Sequence, residues 1–128
     1  MHLIVAPVAS LAFDPMLGRD IPESDWKIFR TVRQAALDRY CARVLDECAA
    51  VIRDTSTTNH ERYLRLNRML DKRDDDLASA FNDFRRSTAI IQLARIHNLG
   101  VVTDEELRRF SKETRELVIA LVTGDFGD

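Results

Sequence analysis

Arg85, Thr88, Gln92 and Arg95 stand at steps of three, four and three, so a helix drawn through "FRRSTAIIQLARIHNLG" carries them on one polar strip. Two guanidiniums with a hydroxyl and an amide are the donor set from which a pocket for an anion or a small polar ligand is built. Left in solvent, the same strip makes ordinary ion pairs; in a subunit seam it would fix register. A second basic set, Arg65, Arg68 and Lys72, falls on one side of a helix through "ERYLRLNRMLDKRDDD" and has the chemistry to touch nucleic-acid phosphates. The neighbouring run Asp74, Asp75 and Asp76 and a net charge of -2 oppose that use, which ranks third among the readings.

Catalytic spacing is missing elsewhere in the chain. There is no Gly-rich phosphate loop, no nucleophile elbow, no HExxH and no paired ExxH of a di-iron bundle. His2, His60 and His97 are isolated, and His97 falls near a helix C-terminus, where the dipole favours its cation. Asp71, Asp74, Asp75 and Asp76 lack the glycine and terminal glutamate of a calcium loop. The outline of a helix-turn-helix in "LARIHNLGVVTDEELRRF" is opposed by Asp104, Glu105 and Glu106, which would meet a DNA groove with the wrong sign. No catalytic residue, metal site or cofactor is expected, and the chain is read as leaning away from an enzyme.

These residues need helices to position them. A hydrophobic fraction of 45%, a charged fraction of 31%, four Gly and three Pro in 128 residues are the composition of one globular, helix-rich domain with its own core. Glu23, Ser24 and Asp25 after Pro22 open a helix that nothing interrupts until about Asp54. Phe29, Ala36, Tyr40, Val44, Cys48 and Val51 form its apolar face, beside Trp26, Leu37, Cys41 and Ile52. At about 45 Å it is longer than a compact domain needs, which makes it a candidate dimer element. Cys41 and Cys48 share a face about 10.5 Å apart, too far to bridge within one helix. They read as small core hydrophobes in a reducing compartment.

Thr58 and Glu61 have capping-box spacing and open a second helix with Tyr63, Leu66, Met69 and Leu70 as its core stripe. A break is expected near residues 73–75, then a third helix over about 76–98 ending at Gly100. That third helix changes character midway. Leu77, Ala80, Phe81 and Phe84 share one side, whereas Ala89, Ile90, Leu93 and Ile96 lie at the back. Its two halves must therefore meet different neighbours, with the first and second helices at its start and the last helix or a partner subunit at its end. Thr103 with Glu106, then Ser111, begin two further helices, and Gly124 closes the last.

The expected fold is all-α, a bundle of four to five helices with a long first helix. Residues 1–22 are read as an extended apolar N-terminal arm and 23–128 as a single helical-bundle domain. The arm's short apolar run, interrupted by Pro7 and lacking a preceding Lys or Arg, fits neither a membrane span nor a signal peptide. It is expected to bury Leu3, Val5, Leu11 and Phe13 against helices. The function expected first is that of a small cytoplasmic interaction or assembly protein, a homodimer or the partner of another protein, working through helix-helix contacts. A ligand or anion binder using Arg85, Thr88, Gln92 and Arg95 is the alternative.

Overall fold

The computed structural model describes residues 21–124, and the arm residues Leu3, Val5, Leu11 and Phe13 lie outside them. Within those bounds the chain is all-α, with five α-helices and no strand among the described residues. Helix α1 spans Glu23–Arg53, α2 Asn59–Phe81, α3 Ala89–Asn98, α4 Asp104–Arg108 and α5 Lys112–Thr123, with a 3₁₀ turn at Arg86–Thr88 before α3. The punctuation read from sequence is present at the starts of α2, α4 and α5 and at the two glycine stops. Thr58 with Glu61 and Thr103 with Glu106 form full capping boxes, Ser111 accepts from the Thr114 N–H, and Gly100 and Gly124 take the left-handed backbone at φ 80° and 76°.

The chain breaks in a different place from the one expected. α2 runs unbroken through Arg73, Asp74 and Asp75 to Phe81, because Leu70, Leu77, Ala80 and Phe81 continue one apolar stripe and no residue there removes a backbone donor. The expected third helix over 76–98 is instead two helices. Its first turns are the end of α2, its last ten residues are α3, and residues 82–88 form a corner between them. The change of face is therefore a change of helix.

The short α3 is central: it packs on α5, α1 and α2, and Ala89, Ile90, Leu93, Ala94 and Ile96 are all buried. Around it the first half of α1 contributes Phe29, Val32, Ala36 and Tyr40, and the last turn of α2 adds Ala80 and Phe81. Val101, Leu107 and Phe110 close the α3 to α5 side together with Val118 and Leu121. Burying such side chains is worth about 1.5–3 kcal/mol each before entropy is counted, which makes this end the stable part of the molecule.

α1 and α2 run on past that core as an antiparallel hairpin. The bidentate pair of Arg73 with Glu47, at 2.9 Å for each contact, sets the register, and the Tyr40 hydroxyl donates to the Arg73 carbonyl at 3.2 Å. Toward the turn Arg62, in the first turn of α2, donates to the Ile52 carbonyl, and Arg65 pairs with Asp54 at 3.1 Å. The two helices therefore stay paired to the tip of the hairpin. Tyr63 is nonetheless 65% exposed, not in the core stripe. Cys41 and Cys48 are free thiols and only partly buried, so neither is a core residue.

Candidate functional site

The polar strip faces the corner between α2 and α3. The Gln92 side chain is buried; its amide donates to the Asp83 carbonyl and its Oε1 accepts from Arg33 Nε at 3.1 Å. The Thr88 hydroxyl lies 3.2 Å from the carbonyls of both Asp83 and Arg85. Arg85 pairs with the Asp83 carboxylate at 2.6 and 3.1 Å, and that guanidinium holds the Asp83 carboxyl below the usual carboxylate range. Arg95 is exposed and its Nη1 reaches the Ser79 carbonyl at 3.5 Å. All four residues thus turn toward residues 79–85. A helix that stops leaves carbonyls without partners, and here side chains supply the donors, with Arg33 donating to the Phe81 carbonyl from α1.

Arg33 also lies over two rings, its Cζ 4.4 Å from the Phe84 centroid and 5.6 Å from that of Phe81. Phe84 stacks in turn on Trp26 at 5.2 Å. The corner is fastened from α1 by one arginine that meets carbonyl, amide and aromatic faces together, a use of the planar guanidinium that lysine could not reproduce. The spacing within 85–95 shows nothing of Arg33, because its partners are 48 and 59 residues away.

Two further long-range clamps were invisible in the same way. Asp25, read from sequence as first-turn charge, is 1% exposed, and its carboxylate accepts from the Ser111 N–H at 2.9 Å, the Ser111 hydroxyl at 2.6 Å and the Thr114 hydroxyl at 2.6 Å. It joins the first turn of α1 to the first turn of α5. Arg39 forms a bidentate pair with Glu106 at 2.8 and 2.5 Å and also reaches the Val101 carbonyl at 2.5 Å. Glu106 therefore serves both as a cap for α4 and as an anchor for α1, and Arg39 holds its carboxyl below the usual range.

The second basic set is spread along α2. Arg65 pairs with Asp54 at 3.1 Å, while Arg68 and Lys72 are exposed near the exposed Asp71, Asp74 and Asp75. The Ser56 hydroxyl and amide, with Arg65, lower the Asp54 carboxyl to about 2. His97 departs from its expected role as a dipole-stabilised cation. It is half-buried at the end of α3, and desolvation by burial lowers its pKa against the opposing pull of Asp104. Among the described residues no cluster of three or more His, Cys, Asp or Glu is placed to hold a metal ion, and no helix is long and apolar enough to cross a membrane.

Comparison with protein-family models, with curated proteins and with solved structures yields no match.

Apart from Phe84 at the corner and Ile119 on α5, the large exposed apolar side chains among the described residues lie on the hairpin. Leu45 is 67% exposed, Ile52 56%, Tyr63 65% and Leu64 37%. Cys41, Leu45, Cys48 and Ile52 follow one another at steps of four, three and four, one position after the α2-facing residues Tyr40, Val44, Glu47 and Val51. α1 therefore carries two adjacent seams, one closed by α2 and one open.

Proposed function

We propose that this protein is a small, non-enzymatic interaction or assembly protein that acts in the cytoplasm as a homodimer through helix-helix contacts. The observation that carries this reading is the exposure of Leu45, Ile52 and Tyr63 on the part of the hairpin beyond the core. Isolated exposed apolar side chains are ordinary on a monomer. Large ones grouped along one end of a two-helix hairpin are the surface a partner helix covers. The free thiols of Cys41 and Cys48 suit a reducing compartment.

The polar strip does not favour the ligand alternative, since Gln92, Thr88 and Arg85 spend their donors and acceptors on the corner they fasten. The pairing of Arg65 with Asp54 and the nearby aspartates likewise give no support to nucleic-acid binding. Native mass spectrometry and sedimentation velocity test the proposal. The expected result is a dimer of intact chains whose population rises with concentration. A wild-type chain that stays monomeric at high micromolar concentration refutes it.

A further inference from the structure

The open seam on α1 has an internal pattern that identifies its occupant. Read along the helix it runs Cys41, Leu45, Cys48, Ile52, small then large twice over. Leu45 and Ile52 are the open positions, while Cys41 and Cys48 sit lower and are partly covered. We infer that this seam pairs with the same seam of a second copy, the two α1 helices running antiparallel with Leu45 of each facing Cys48 of the other. In that register Cys41 of each also faces Ile52 of the other, so every layer sets a large side chain against a small one. This interdigitation is what close packing between facing helices requires, and a two-fold axis between residues 46 and 47 generates it from one sequence.

The flanks agree. On one side of the seam stand Ala42 and Ala49, which let two helix backbones approach, and on the other Leu37 and Val44 lead to α2. At each end the register brings Asp38 of one copy within about one helical turn of Arg53 of the other, on the same side of the seam. Asp38 and Arg53 are both exposed on the surface of α1. A parallel in-register pairing would instead stack Leu45 on Leu45 and Cys48 on Cys48, and would leave Asp38 and Arg53 about 22 Å apart along the axes. α3 and α4 do not obstruct the approach. They lie on the other flank of α1, where Arg39 reaches Glu106 and Arg43 donates to the Leu99 carbonyl at 2.8 Å. Four seam residues per copy make a contact near or below the roughly 1,200 Å² lower bound for stable complexes, so association is concentration-dependent.

The inference rests on the homodimer reading above, and its test separates the two. A full-length Leu45→Cys, Cys41→Ser variant is oxidised with copper phenanthroline, and the product is run on a non-reducing gel and mapped by peptide mass spectrometry. The expected product is an intermolecular bridge from position 45 of one copy to Cys48 of the other. It should form at least an order of magnitude faster than any Cys41 to Cys41 bridge in the wild type, whose two Cys41 residues lie eleven residues, about 16 Å, apart along the axes. Ile52→Cys with Cys48→Ser is the second arm, bridging to Cys41 of the other copy. If the wild type dimerises in sedimentation but bridges rapidly through Cys41 to Cys41, or if neither variant bridges, the antiparallel seam is wrong and self-association stands. A Leu45→Glu, Ile52→Glu variant that keeps both its helical circular dichroism and its dimer has the same meaning. If the wild type is monomeric at high micromolar concentration, both fail.

Discussion

Replacing Asp25 by Ala removes the carboxylate that ties α1 to Ser111 and Thr114, in the cap and first turn of α5, and the structure sets the size of the effect. Asp25 is fully buried and accepts three hydrogen bonds, from one backbone amide and two hydroxyls. A hydrogen bond to a charged group contributes about 1.5–3 kcal/mol, and a buried donor left unpaired costs about 1–3 kcal/mol. The three losses do not add fully. Ser111 is exposed and its donors regain water, whereas the Thr114 hydroxyl is buried and does not. The first-turn position of Asp25 adds up to about 1 kcal/mol with the α1 dipole. We expect Asp25→Ala to lose about 3–5 kcal/mol, a large part of the total stability of a domain this size. Urea unfolding followed by circular dichroism at one fixed protein concentration measures it, since self-association would otherwise shift the midpoint. Thr114→Val should cost less by itself and couple to Asp25→Ala by more than about 1 kcal/mol in a double-mutant cycle. A loss below about 1 kcal/mol for Asp25→Ala, or no coupling, would refute the reasoning.

Gln92→Leu, which strips Arg33 and the Asp83 carbonyl of a partner inside the corner, should destabilise by about 2–3 kcal/mol, whereas Arg95→Leu on the exposed edge should change stability by less than about 0.5 kcal/mol; thermal melts of the two variants side by side decide it. Gly100→Ala places a side chain at φ 80° and should cost about 1–2 kcal/mol, although the space is open, the nearest atom to an added Cβ being Arg43 Nη1 at 3.6 Å. For His97 the sign follows from desolvation. The folded chain binds its proton less readily than the unfolded chain, so stability is complete above the ordinary value of 6.5 and declines as pH falls below it until the lower folded pKa is passed. Unfolding free energies at pH 8 and just above pH 5, before the salt-bridged carboxylates titrate, should differ less in His97→Gln than in the wild type; an equal difference in both would assign the pH dependence elsewhere.

Local grammar was legible in the sequence. Helix starts at Glu23, Asn59, Asp104 and Lys112 and stops at Gly100 and Gly124 depend on contacts three or four residues apart, and such contacts show in the spacing of Thr58 and Glu61 or Thr103 and Glu106. The helix break was misplaced because Asp74, Asp75 and Asp76 have the residue types of a cap, although the step from Leu70 to Leu77 carries one stripe through them; the corner at 82–88 is held by groups from α1 and α3 that spacing cannot bring together. The polar strip was visible as residue types and its orientation was not. Whether Thr88 and Gln92 face a ligand or a neighbouring carbonyl depends on where the chain turns before them.

By itself, the sequence determined an all-α chain, the capping of its helices, the length of α1 and the two faces within residues 76–98. Tertiary structure alone decided that those faces belong to two helices, that Asp25, Arg33 and Arg39 tie distant elements, and that Tyr63, Leu45 and Ile52 stay exposed. The reason is range. A cap or an amphipathic stripe is complete within one or two turns of its own helix, whereas burial depends on what the rest of the chain brings alongside. α2 meets α1 along Tyr40, Glu47 and Val51, and it leaves the adjoining seam through Leu45 and Ile52 open.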